Sequence, residues 1–504
     1  MSVKNKLISN TIYLFLDWFV LAIIGFFYWL VASKVLVRAE LGIASTSVNF
    51  ALILSGVSIL GVHYALWKLI PEYLVKKQNN KIVSLTKFSL KVVLLSNVII
   101  LLMLLLSFQH ILPLLKIPLN AFLLSGAILF SYSIAMYFRY VIYGFQKMKK
   151  IAITDIIGQT VKMVVSLCLI FLGFKYFGLL IGFLLGNIVV ILLRITSIPV
   201  KGMTEKIDKK NIMFNYALPG FIGTILALVL INGQYVLLTI LKNTDVTGLY
   251  TPVMVISSIL TVIPNTLNSA LLPISSQLST KSSGKGKQNH LIVMVLRYSL
   301  FITLPIGILL AFFSKTAILI FSTAEYLPAS QFFPILIFGS VIYGIGSIFL
   351  DNIYAIGKTK INRNIIISIT LLYLILAFPL IHFLSAFGAA LAYSISTAIL
   401  ALVSFLWLKK LLKLRLPWGN IGKLLLSIFL SFGVLYAIMP FAQNLLVKII
   451  FGCLTLLLYL MVLFPLKFYT IDDVKILDFI IDRSPILKKE IAKLRNFLSN
   501  RIAK

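Results

Sequence analysis

Val92-Val-Leu-Leu-Ser-Asn-Val-Ile-Ile-Leu-Leu-Met-Leu-Leu-Leu106 has no charged residue and no apolar/polar alternation. Ile449-Ile-Phe-Gly-Cys-Leu-Thr-Leu-Leu-Leu-Tyr-Leu-Met-Val-Leu-Phe-Pro465 reads the same way. A membrane β-strand would show a period of two. Unalternated apolar stretches of this length read as α-helices, which satisfy every backbone polar group within the segment. Similar stretches recur along the chain. Of its 504 residues, 60% are hydrophobic and 12% charged, against about 25% charged in soluble domains. Mean hydropathy is +1.04. The expectation is an all-α integral membrane protein.

The sequence divides into fourteen expected transmembrane helices at about 10–33, 42–66, 92–109, 121–143, 151–173, 177–200, 214–240, 249–274, 291–313, 332–357, 364–384, 386–408, 422–440 and 444–466. The positive-inside rule orients them. With the N-terminus in the cytoplasm, 37 of the 46 Lys and Arg fall on the inner side or in the tail, and seven on the outer side. The remaining two, Arg139 and Lys162, lie within spans and are counted to neither side, whereas charges near other span ends are counted with the adjoining loop. A net charge of +32 therefore reads as a topology signal and not as a nucleic-acid surface. Met1 to Lys6 is a short basic lead into the first helix. Both termini are expected in the cytoplasm of a multi-pass plasma-membrane protein. The segment 467–504 alternates Ile476, Phe479, Ile480, Ile486, Ile491, Leu494 and Leu498 with charged residues, as an amphipathic helix lying on the inner leaflet would.

A faint duplication runs through the chain. Ile142-Tyr-Gly-Phe-Gln-Lys-Met-Lys149 and Ile353-Tyr-Ala-Ile-Gly-Lys-Thr-Lys360 lie 211 residues apart, and Leu41-Gly42 and Gly248-Leu249 follow a similar offset. Two parallel six-helix lobes are expected, an N-lobe over 1–200 and a C-lobe over 211–410. Two extra helices over 420–466 and the tail follow. In such an arrangement a site lies between the lobes.

Ionisable residues inside the membrane are costly, so they point to a bundle interior or a wet cavity. Lys162 lies mid-span on one helix face with Asp155, Gly158, Gln159 and Ser166. It reads either as a cationic lining for an anionic substrate or as a partner for Asp17 or Asp155. Arg139 shares a face with Tyr132, Met136 and Tyr143; snorkelling to the inner interface is the favoured reading, and substrate contact the other. Asp17 is a candidate ion-coupling site or a partner for a basic residue. Asp351 is expected near the inner interface. Ser258, Thr261, Asn265 and Asn268 form a polar stripe, and Asn232 and Gln234 interrupt another span. These could bind sugar hydroxyls or glue helices together. His63, His110, His290 and His382 have no metal-ligand spacing. Cys168 and Cys453 lie in apolar runs. No phosphate-binding Gly-rich loop occurs, and no metal or cofactor is expected.

Several short motifs fall in a specific order: Lys34-Val-Leu36-Val-Arg38-Ala-Glu40-Leu41-Gly42, Ile70-Pro71-Glu72-Tyr73, the Gly144 turn, Leu218-Pro219, Val246-Thr-Gly248-Leu-Tyr250 and Gly357-Lys-Thr-Lys360. Over roughly 1–410 the chain resembles the polysaccharide-biosynthesis flippases, which include O-antigen-type flippases. These belong to the multidrug/oligosaccharidyl-lipid/polysaccharide exporter superfamily. The resemblance implies a flippase for a lipid-(pyro)phosphate-linked oligosaccharide. Its substrate-binding candidates are Lys162, Arg139, Gln159, Lys34, Asn265, Asn268 and Gln234. Its partners would be membrane lipids and the glycosyltransferases or polymerase of the same pathway. Many relatives carry an Asp where this chain has Gln234, so a role for that acid does not transfer. A multidrug/cation antiporter of the same superfamily is the nearest alternative, with a membrane glycosyltransferase or polysaccharide polymerase as the alternative from another class. The latter would need a catalytic carboxylate or a large outer loop.

Overall fold

The computed structural model describes residues 3–196, 202–279, 284–442, 444–470 and 473, and among them there is no β-strand. The expected amphipathic tail lies almost wholly outside the described residues.

The helices are, in chain order, α1 (Val3–Val35), α2 (Arg38–Ile59), α3 (Val62–Val75), α4 (Asn79–Leu106), α5 (Phe108–Leu115), α6 (Leu119–Gly144), α7 (Met148–Leu169), α8 (Lys175–Ile195) and α9 (Lys209–Asn211). They continue with α10 (Leu218–Leu241), α11 (Thr244–Ser279), α12 (Gly284–Phe312), α13 (Ser314–Phe321), α14 (Phe333–Ala355), α15 (Thr359–Leu412), α16 (Trp418–Ile438) and α17 (Leu445–Val462). Among the described residues, eleven helical stretches are long and apolar enough to cross a membrane. The protein is a multi-pass membrane protein.

Two of those stretches exceed a single crossing. Met148–Ile195 has 48 residues and Thr359–Leu412 has 54, against about 20 for one span. Each is broken where the sequence divides it. In the first, Gly173 (φ 88°) and Lys175 (φ 51°) leave helical geometry, and α7 and α8 fold back against each other. In the second, Ser385 takes φ 56° and ψ −133°. A Cβ at Gly388 would fall 1.9 Å from the Leu380 carbonyl oxygen, so the reversal there needs glycine. The expected second span, 42–66, is by contrast interrupted at Leu60 and Gly61, both at positive φ.

The chain folds into two compact units, Met1–Ile292 with Leu310–Leu414, and Val293–Leu309 with Arg415–Lys504. In the first unit α2 is central and mostly buried, whereas α4 turns leucines outward. In the second, Arg297 of α12 pairs with Asp473 at 2.6 Å and donates to the Phe468 carbonyl at 2.9 Å. There Tyr459 of α17 donates to the Phe301 carbonyl at 3.0 Å.

Within the first unit, α2 and α11 meet reciprocally. A Cβ at Gly42 would fall 1.7 Å from the Thr244 carbonyl oxygen, and one at Gly248 would fall 1.7 Å from that of Arg38. Thr251 donates to Ser45 at 3.0 Å. Gly42 and Gly248, Arg38 and Thr244, and Ser45 and Thr251 are each 206 residues apart, close to the 211 between Ile142 and Ile353. Small residues let the two backbones touch.

Candidate functional site

On α8, Gly178, Gly182 and Gly186 recur every four residues and so share one face. They face α7. A Cβ at Gly182 would fall 2.0 Å from Ser166 Oγ, and one at Gly186 2.8 Å from Lys162 Cβ and from the Gly158 carbonyl. This close helix pair is a small-residue packing seam of the kind membrane helices use in place of hydrophobic burial. It fixes the side chains that flank it.

Those side chains line a cavity of about 310 Å³, walled by residues of α1, α6, α7 and α8 that include Tyr132, Arg139, Asp155, Gln159, Lys162 and Arg194. Lys162 is 8% exposed. Its Nζ lies 4.7 Å from the Tyr28 ring centroid and 5.0 Å from that of Phe183. Ring faces attract a cation but leave its hydrogen-bond donors unused. No carboxylate among the described residues pairs with it.

The carboxylates are engaged elsewhere. Arg139 donates to Asp17 Oδ2 at 2.8 Å and to Asp155 Oδ2. Arg194, 1% exposed, reaches Asp155 Oδ1 at 2.6 Å, Thr154 Oγ1 at 2.9 Å and the Ala135 carbonyl at 3.0 Å. Three cationic side chains thus face two carboxylates, leaving one positive charge in excess at Lys162. Asp17 Oδ1 and Gln159 Oε1 are buried without hydrogen-bond partners among the described residues.

These contacts bear on three charges. Arg139 does not snorkel to an interface, because two buried carboxylates hold it inward. Lys162 does not partner Asp17 or Asp155, because guanidinium groups already occupy both. Arg194, one of the 37 charges that the positive-inside count gives to the inner side and tail, instead turns into the same network. The spacing Gly186, Val190, Arg194 on α8 carries that signal, as does the aromatic Tyr28 on α1; neither residue was among the candidates read from the sequence.

The other candidates lie apart from the cavity. Lys34 is exposed at the end of α1. Gln234 accepts from Tyr250 OH at 2.6 Å and donates to the Ile231 carbonyl at 2.9 Å. Asn265 accepts from Ser347 at 2.9 Å. Asn268 donates to Asp351 at 2.7 Å and accepts from Asn352 at 3.2 Å, so Asp351 joins a contact between α11 and α14. The hydroxyls of Ser258 and Thr261 turn back to carbonyls of their own helix. The structure unites Arg139, Gln159, Lys162 and, through Arg139, Asp17. It uses Gln234, Asn265 and Asn268 between or along helices.

The family model described as "Polysaccharide biosynthesis protein" matches residues 7–279, which include all of this cavity. The chain belongs to that family. It is also similar to an uncharacterized membrane protein of Methanocaldococcus jannaschii, 26% identical over 362 residues, covering 68% of this chain and 70% of that one. The fold of this family member is similar to that of the lipid II flippase MurJ in an inward closed conformation, with TM-score 0.70, 21% identity, and coverage of 91% of this chain and 99% of that chain. It is similar too to an inward-facing multidrug resistance MATE family transporter of the MOP superfamily, with TM-score 0.63, 14% identity, and coverage of 80% and 94%.

Proposed function

We propose that this protein is a flippase that moves a lipid-(pyro)phosphate-linked oligosaccharide across the cytoplasmic membrane by alternating access, for assembly of a surface polysaccharide. The observation that carries this reading is Lys162, a membrane-buried cation in a cavity, whose donors meet no carboxylate among the described residues. A buried ammonium without an anion is costly. A phosphate entering the cavity supplies the missing partner and forms charge-assisted hydrogen bonds. The glycan, unable to cross hydrocarbon alone, passes through the protein while the lipid tail stays in the bilayer. Family membership and the MurJ-like fold support the same class of substrate.

A cation antiporter fits the cavity less well. It needs acids free to take a cation, and Asp17 and Asp155 are already bound by Arg139 and Arg194. The proposed topology is fourteen spans with both termini in the cytoplasm. The six-helix lobes are related by an axis along the membrane normal, and the reciprocal α2–α11 contact supports that axis. Activity reporters fused after Lys77, Lys209, Lys285 and Lys410 are expected to report cytoplasm, and those near Leu115, Thr244 and Ala329 outside. One reversed reporter in mid-chain would remove the fourteen-span count.

In cells, deletion of the gene is expected to leave a lipid-linked glycan accumulated on the inner leaflet and to deplete its surface polymer. Accumulation of a cationic drug with an unchanged surface glycan would instead favour the antiporter. Glycosyltransferases or a polymerase of the same pathway are the expected partners.

A further inference from the structure

A second charged recess lies away from the cavity, at the polar foot of α4. The segment 202–208 is pinned there. Ser84 Oγ donates to the Glu205 carbonyl at 2.7 Å and accepts from the Glu205 amide at 2.8 Å. The two meet over a recess of about 980 Å³ whose walls include Lys87, Phe88, Lys91, Lys206 and Lys209. Its two acids are committed elsewhere. Glu205 lies 3.6 Å from Lys81 Nζ, and Asp208 accepts from the Asn211 amide at 2.9 Å. Lys209 sits over the Phe88 ring at 5.9 Å. Lys87, Lys91 and Lys206 have no carboxylate partner among the described residues.

The same helix face continues as hydrocarbon. Lys87, Lys91, Leu95, Val98, Leu102 and Leu105 follow one another at steps of three and four, so they form one stripe. Leu95, Val98, Leu102 and Leu105 are each about half exposed. From Lys91 to Leu105 the stripe rises about 21 Å, more than one leaflet of a core about 30 Å thick. A cluster of uncompensated ammonium groups opening onto a leaflet-length apolar track matches one kind of ligand: a negatively charged head on a long chain.

We propose that the foot of α4 is a binding site for an anionic bilayer phospholipid. Lys87, Lys91 and Lys206 hold its phosphate, and its acyl chains lie along Leu95, Val98, Leu102 and Leu105. The site is separate from the cavity at Lys162 and does not depend on the transported substrate.

The test titrates purified full-length protein in detergent with phosphatidylglycerol or phosphatidylcholine of matched chains and counts bound lipid by native mass spectrometry. Wild-type protein is expected to prefer phosphatidylglycerol by about tenfold or more, as attraction by several basic residues near the surface implies. Raising salt should erode the preference. Lys87→Ala/Lys91→Ala should remove it, and Lys149→Ala/Lys150→Ala should keep it. Leu95→Gln/Leu102→Gln should weaken phosphatidylglycerol binding, and excess inorganic phosphate should fail to displace the lipid. Equal binding of the two lipids by wild-type protein would overturn the proposal. So would an undiminished preference in the Lys87/Lys91 variant, or displacement by phosphate, which would leave a bare ion site.

Discussion

Lys162→Ala is expected to lower transport of a lipid-pyrophosphate glycan by about 10- to 100-fold, the worth of one hydrogen bond to a charged group at about 1.5–3 kcal/mol. The protein should insert and accumulate normally. The ammonium lies over the Tyr28 and Phe183 rings and pairs with no carboxylate among the described residues, so its removal strands no acid there. Lys162→Arg should retain part of the activity, since the charge survives while its shape changes. Full surface-glycan export by well-expressed Lys162→Ala would show that the residue is dispensable and that the cavity binds its substrate by other groups.

The second large effect falls on stability. Asp155 is shared by two guanidinium groups, Arg139 and Arg194. Asp155→Asn leaves Arg194, 1% exposed, without an acid. Breaking a buried pair from one side costs about 3–5 kcal/mol, enough to unfold much of a marginal membrane protein. Thermal unfolding in detergent should show a large drop and a poor yield. Asp17→Asn should be milder, because Arg139 keeps Asp155. The double variant Asp155→Asn/Arg194→Gln should recover part of the loss by removing the stranded charge. If Asp17→Asn proved the more damaging, or the double variant recovered nothing, the charge network would not be organised around Asp155.

Much of this is legible in the sequence because membrane helices report their depth through hydropathy. The division at Ser385 is an example: apolar residues run on both sides of it, yet 54 residues cannot cross once. Lys162 and its neighbours Asp155, Gly158 and Ser166 also read correctly as an inward face, since their spacing puts them on one side of a helix. Partners are harder. Arg139 and Arg194 both sit toward helix ends, where snorkelling is the ordinary outcome, and depth alone does not say which neighbouring helix brings a carboxylate. Asp17 is 122 residues from Arg139, a pairing set only by how α1 packs beside α6 and α7. The stripe with Asn265 and Asn268 leaves substrate contact and helix contact unseparated for a similar reason. Amide side chains serve both, and only the positions of Ser347, Asp351 and Asn352 across the interface reveal which groups are taken. The Gly178, Gly182, Gly186 seam stands in plain spacing, but small residues carry no charge to mark their depth, and their role shows only when α7 lies against them.

The driving force follows from the charge of the proposed substrate. Moving one charge across the membrane is worth about 2.3 kcal/mol per 100 mV, so a doubly charged pyrophosphate gains roughly 4–5 kcal/mol per 100 mV outward from a negative interior. Asp17 and Asp155 are each paired with arginine, Asp17 through Oδ2 and Asp155 through both oxygens, so among the described residues the cavity holds no carboxylate free of a cation. The most direct measurement is therefore the transbilayer movement of a fluorescent lipid-pyrophosphate oligosaccharide by the full chain in proteoliposomes, with the potential set by a potassium gradient. The expected result is movement that needs the protein, is faster when the face of origin is made negative, runs without a sodium or proton gradient, and falls about 10- to 100-fold in Lys162→Ala. Movement that ignores the potential but stops when sodium or the pH gradient is removed would contradict this, and Asp17 would then be the first residue to suspect; no movement at all would contradict the flippase itself.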